Sequence, residues 1–129
     1  MGPPPLVLVI DDNANIREAL AIALGLEGYA VETATDGLDA LQKLHAGLRP
    51  DLVVSDMMMP VMNGFAFRQA MLSDPTLPSI PFIAYSAVTD PNETAQHLHA
   101  DACLYKPANV AQIAAIVHRF CRPSANPVH

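Results

Sequence analysis

Charge is scarce in this sequence. Asp, Glu, Lys and Arg make up 16% of the 129 residues and hydrophobic residues 51%, against a charged share of about 25% in typical soluble domains, which disfavours both disorder and a coiled coil. Basic residues are scarcer still, seven against thirteen acidic ones, for a net charge of -6 and a pI near 5.1. That balance argues against direct binding to a phosphate backbone. Cysteine is limited to Cys103 and Cys121, with no CxxC spacing, so neither a disulfide framework nor a zinc knuckle is suggested and a reducing compartment fits. The longest apolar stretch, Ala19 to Leu26, is far short of the roughly 20 residues that span a bilayer. No basic segment precedes Leu6, and position 6 lacks the Ser or Thr of a myristoylation signal. A cytoplasmic protein with no membrane insertion is expected. The chain also lacks GxGxxG after its first apolar run, GxxxxGK[ST] and GxSxG, which leaves a nucleotide-binding enzyme or a hydrolase poorly supported.

What is present is an alternation. At this length a single domain is expected. Leu6 to Ile10 is a continuous β-branched run, as in a strand covered on both faces. Asn13 can cap a helix carrying Ile16, Leu20, Ala23 and Leu24, closed by Gly28. Tyr29 to Ala34 is a second strand candidate, and Asp36 with Asp39 marks the start of a helix through Leu38, Leu41 and Leu44 that Gly47 and Pro50 end. Leu52 to Ser55 reads as a third strand ending at Asp56, with a helix from about Phe65 to Leu72 after the Asn63-Gly64 turn. Phe82 to Tyr85 is a fourth strand ending at Ser86, followed by a helix start at Asp90-Pro91-Asn92-Glu93. Ala102 to Tyr105 is a fifth, ending at Lys106-Pro107, and Asn109 with Gln112 caps a helix bearing Val110, Ile113, Ala114, Val117 and Phe120. Five strand-helix units in strict alternation imply a doubly wound α/β fold with a five-stranded parallel sheet. Residues 1–5 read as a Pro-rich leader, 6–121 as the domain and 122–129 as a tail.

In open parallel sheets ligands bind beyond the carboxyl ends of the strands. Asp11 and Asp12, Asp56, Ser86 and Lys106 follow four of the five apolar runs at once, so they converge on one edge. Strand ends often carry Asp or Ser simply as caps and turn formers, and any one of these residues alone would be uninformative. The set is informative because three carboxylates beside one ammonium leave a net negative charge that a divalent cation relieves. All-oxygen carboxylate ligation suits Mg²⁺. Two acids after the first strand would repel the phosphate of a flavin.

Val9-Ile10-Asp11-Asp12, Asp56-Met57-Met58-Met59-Pro60 with Gly64, Ser86-Ala87 and Lys106-Pro107 resemble the motifs of response regulator receiver domains of two-component signal transduction, CheY-like, and the resemblance runs from about Leu6 to Phe120. It implies a flavodoxin-like (βα)5 fold with strand order 2-1-3-4-5. It further implies that Asp56 accepts a phosphoryl group from the phosphohistidine of a histidine kinase or a histidine phosphotransfer protein. Asp12, Asp56 and the Met58 carbonyl would hold Mg²⁺, with Asp11 acting through water. Lys106, aimed by a cis bond to Pro107, would pair with Asp56 and then with the phosphoryl group, to which Ser86 would donate, while Ala87 leaves room. Such a domain is a self-phosphorylating and self-dephosphorylating switch for a downstream protein rather than an enzyme in its own right.

Two departures stand out. The position that usually holds a rotating aromatic is Cys103, and Tyr105, on the same strand face, is expected to stand in for it. Ser86 and Lys106 are 20 positions apart, which predicts a short fourth helix and an altered partner face there. The short tail leaves no output domain, so a diffusible single-domain regulator or a receiver segment of a hybrid kinase is expected. A constitutive interaction module without phosphotransfer, and a Mg²⁺-dependent phosphotransferase acting on small molecules, are the alternatives. The Met57, Met58, Met59, Met62 and Met71 cluster reads as loop and core filling rather than a Cu(I) site. His97 and His99 with Cys103 lack a fourth ligand for zinc, and His118, Arg119 and Arg122 read as a basic helix end.

Overall fold

In a computed structural model of the chain, the described residues are 3–86, 100–105 and 109–121. Ala87, Lys106, Pro107, the expected short fourth helix with His97 and His99, and the tail from residue 122 lie outside them, as do the side chains of Ser86 and Tyr105.

The apolar runs form the strands expected of them. β1 (Leu6–Ile10) and β3 (Leu52–Asp56) are buried on both faces. With β2 (Ala30–Ala34), β4 (Phe82–Ser86) and β5 (Ala102–Tyr105) they make a parallel sheet in the order β2-β1-β3-β4-β5. Strand alternation divides the apolar side chains between two layers. Leu8, Ile10, Val53, Phe82 and Ala84 face α2 (Gly37–His45) and α3 (Gly64–Ser73), which contribute Ala40, Leu44, Phe67 and Met71. Val7, Val9, Leu52, Val54, Ile83 and Tyr85 face α1 (Ala14–Leu26) and α4 (Val110–Phe120), which contribute Leu20, Leu24, Ile113, Ala114 and Val117. Each fully buried Leu, Ile or Phe stabilises the fold by roughly 1.5–3 kcal/mol, so neither layer is expendable.

The helices begin where the capping residues stand. Asn13 Oδ1 accepts from the Asn15 and Ile16 amides at 2.9 and 3.2 Å, Asp36 Oδ1 from Asp39 at 2.8 Å, and Asn63 Oδ1 from Ala66 at 2.9 Å. Asn109 and Gln112 bond reciprocally, each at 2.8 Å, the capping box expected from their spacing. Gly28, with φ of 99°, follows the end of α1 in the left-handed conformation that glycine adopts without steric penalty. Two elements differ in their bounds from the sequence expectation. α3 extends one residue beyond each predicted end, because Asn63 caps it at Gly64. Tyr29 is not in β2: its amide bonds to Leu24 O at 3.1 Å, closing α1, and its hydroxyl reaches His118 Nδ1 at 3.2 Å and the Cys121 carbonyl. The ring serves the α1–α4 layer instead of the ladder.

Candidate functional site: an acidic cluster at the strand ends

Register assembles the site. β1 and β3 pair with Ile10 opposite Ser55, so the next residues, Asp11 and Asp56, stand level at the carboxyl ends of two adjacent central strands. The β3–β4 register sets Asp56 opposite Tyr85, and the β4–β5 register sets Ser86 opposite Tyr105. Asp11, Asp12 and Asp56 each offer a carboxylate oxygen within 4.8 Å of the others. Asp11 and Asp56 are each only 2% exposed, whereas Asp12 faces solvent. The cluster therefore sets one solvent-facing carboxylate beside two buried ones.

Backbone groups orient the buried pair. The Asn13 amide donates to Asp11 Oδ1 at 2.8 Å, and the Met58 amide donates to Asp56 Oδ1 at 3.2 Å. The Arg17 guanidinium donates to the Asp11 carbonyl at 2.8 Å, tying the β1–α1 loop to the first turn of α1 and setting a cation beside three acids. Sequence reading missed Arg17. Its only signal is a long basic side chain six residues after Asp11, which many helices carry for other reasons.

The loop from β3 to α3 is held as closely. Gly64 lies against the end of β3, where a Cβ would come within 2.7 Å of the Asp56 carbonyl and 2.6 Å of the Met57 sulfur, so glycine is required. The Met62 amide donates to Pro60 O at 2.8 Å, a three-residue turn with Val61 at φ of 69°. The Gly37 amide in turn donates to Met62 O at 2.9 Å, linking the loop to α2. Met57 and Met71 are buried, and Met59 and Met62 pack against the α2–α3 layer, the filling role expected of them; Met58 is the exception, at 60% exposure.

Cys103 is half-buried against the α2–α3 layer, and burial pushes its thiol up from its ordinary pKa, which keeps it protonated and a poor nucleophile. Arg68 was also missed. Its guanidinium is buried at the opposite end of the sheet, 4.9 Å over the Phe82 ring and bonded to Ile80 O at 3.4 Å. Desolvation lowers its pKa, opposed by the charge of Asp101.

A 2-1-3-4-5 parallel sheet with acids gathered at its carboxyl edge defines the CheY-like class of doubly wound α/β domains. Comparison with known proteins narrows this. The family model described as response regulator receiver domain matches residues 7–118, and the chain belongs to that family. It is 38% identical over 124 residues to a transcriptional regulatory protein CpxR homolog of Haemophilus influenzae, covering 93% of this chain and 53% of that one. It is 33% identical to the DNA-binding dual master transcriptional regulator RpaA of Synechocystis, covering 92% of this chain and 49% of that one. The chain thus spans about half the length of the curated relatives it matches. Chemotaxis response regulator CheY4 of Vibrio cholerae superposes with a TM-score of 0.81 at 33% identity, over 90% of this chain and 98% of that one. Response regulator TrrA of Thermotoga maritima, solved in complex with Mg²⁺-BeF, superposes at 0.76 and 29% identity, with the same coverage. Members of the family generally use Mg²⁺ at an acidic pocket and interact with histidine kinases and downstream targets. No helix among the described residues is long and apolar enough to cross a membrane.

Proposed function

We propose that this chain is a phosphorylation-dependent switch in which Asp56 accepts a phosphoryl group from the phosphohistidine of a histidine kinase or a histidine phosphotransfer protein. The observation that carries the reading is the trio of carboxylates within 4.8 Å, two of them buried. Three hard oxygen donors so close repel one another, and their charge and chemistry fit a divalent cation such as Mg²⁺. Asp11, Asp12, Asp56 and the Met58 carbonyl would hold it. When bound, Mg²⁺ neutralises the cluster and draws an anionic donor toward a carboxylate that would otherwise repel it.

The protein's own part is positioning. Buried in the end of β3 and steadied by the Met58 amide, Asp56 presents one carboxylate oxygen to the phosphorus. The new P–O bond forms as the P–N bond of the phosphoimidazole breaks, and the electron pair leaves with the imidazole nitrogen, which takes up a proton. Lys106 balances the transferred charge, the Ser86 hydroxyl donates to a phosphoryl oxygen, and Ala87 leaves room, with Pro107 supporting the lysine. Phosphorylation changes affinity for a downstream protein; nucleic acid is not contacted directly by this domain. The setting is cytoplasmic. The chain acts as a phosphoacceptor only, and the transcriptional activity named for its longer relatives would require a segment beyond the receiver domain.

The test is intact mass after incubation with acetyl phosphate, with and without Mg²⁺, beside Asp56→Asn. A Mg²⁺-dependent phosphoryl adduct absent from the variant is expected. No adduct and no Mg²⁺ binding would instead favour a constitutive interaction module.

A further inference from the structure

Five methionines lie in or beside the β3–α3 segment, and the fold treats one of them differently. Met57 and Met71 are 0% and 5% exposed, Met59 and Met62 pack against the α2–α3 layer, and Met58 is 60% exposed. Its backbone amide is the group that steadies Asp56 Oδ1, at 3.2 Å. An accessible thioether is therefore rooted on the residue that orients the buried acid.

We propose that Met58 is a reversible oxidation site through which peroxide shortens the lifetime of a phosphoryl group on Asp56; this second half rests on the phosphoacceptor reading above. A sulfur lone pair attacks one oxygen of hydrogen peroxide. The S–O bond forms as the O–O bond breaks, the sulfur is oxidised by two electrons, and the departing hydroxide takes the remaining proton to leave as water. A sulfoxide reductase drawing on a thiol reverses the step. The reaction is selective because the peroxide must reach the sulfur, and Met58 is the most exposed of the five, Met57 and Met71 being buried and Met59 and Met62 partly so. Its consequence follows from polarity. The thioether is an apolar group on the residue whose amide bonds Asp56, while the sulfoxide oxygen is a strong hydrogen-bond acceptor that holds water there. Water held beside an aspartyl phosphate is the reagent that hydrolyses it.

The full chain is treated with dilute hydrogen peroxide and mapped by peptide mass, and the decay of its acetyl phosphate-derived adduct is then compared with that of untreated protein. Expected are one added oxygen on Met58 before any on Met57, Met59, Met62 or Met71, and a several-fold faster decay. In Met58→Leu the decay rate should not respond to peroxide, and Met58→Gln, which places a polar acceptor there permanently, should decay fast without it. Circular dichroism confirms that each variant is folded. Oxidation shared evenly among the methionines overturns the site, and equal decay in oxidised and reduced protein overturns the coupling. Absence of any adduct on untreated protein removes the phosphoacceptor reading and the coupling with it, while the peptide map still decides the site.

Discussion

Val61 is held where a β-branched residue is least at ease. A positive φ of 69° brings its side chain against the backbone, and turns with a single hydrogen bond across such a residue are rare. Strain of this kind costs of order 1–3 kcal/mol and persists only where surrounding contacts over-determine it. Here the contacts are the Met62–Pro60 bond, the Gly37 amide on Met62 O and the Gly64 amide on Met57 O. Val61→Gly relieves the strain, and the greater freedom of glycine in the unfolded chain offsets part of the gain. A net stabilisation of about 1 kcal/mol is expected, read as a higher urea midpoint at unchanged slope. Because Val61 is 76% exposed, lost packing contributes little to the result.

At the scale of elements, the edge of the sheet is managed by α2. Ala30 N and Ala34 O bond inward, to Pro5 O and Asp11 N, so Val31 and Thr33 turn their backbone groups outward. The Lys43 ammonium donates to the Thr33 carbonyl and lies 3.5 Å from Glu32 and 3.8 Å from Asp39, and Asp39 takes the Thr35 amide at 3.0 Å. An edge covered in this way resists pairing with another chain. Lys43→Met is expected to self-associate more than the parent with rising concentration in sedimentation velocity, while Lys43→Arg sediments as the parent does. Both should unfold within about 1 kcal/mol of the parent, since half-exposed ion pairs contribute little. Much of this level was legible in the sequence. Asn13, Asp36 and Asn109 mark helix starts because an Asx side chain satisfies amides that the helix itself leaves open, and the runs of β1 and β3 could be read because strands buried on both faces tolerate few polar residues. Tyr29 was misread because its partners, His118 and Cys121, lie about ninety residues away in the chain. The candidate site divides in the same way. The carboxylates announce themselves by following apolar runs, but the levelling of Asp11 with Asp56 is a property of the β1–β3 register, and the Arg17 tether depends on a rotamer.

For the whole molecule, tolerance of acid depends in part on one surface carboxylate. Asp74 accepts from the Thr76 hydroxyl at 2.6 Å, from the Thr76 amide at 2.9 Å and from His45 at 2.8 Å, joining the end of α3 to the end of α2. These bonds, that of the Thr76 hydroxyl foremost, lower its pKa from 3.8 to about 2. A carboxylate with a depressed folded pKa stabilises the native state above its unfolded pKa, and that contribution is lost as pH falls through the folded value. Between pH 3.8 and about 2 the parent should therefore lose stability more steeply than Asp74→Asn, as urea midpoints across that window will show.

One consequence of the strand order concerns the ribosome. All three carboxylates of the cluster belong to the ends of β1 and β3, which pair directly with each other, and a chain emerges with its N-terminal part first. By the time Asp56 has left the exit tunnel, all three acids of the cluster are outside it, while β4, β5 and α4 have yet to emerge. The nascent chain thus brings its three clustered acids out before the strands and helix that complete the core around them.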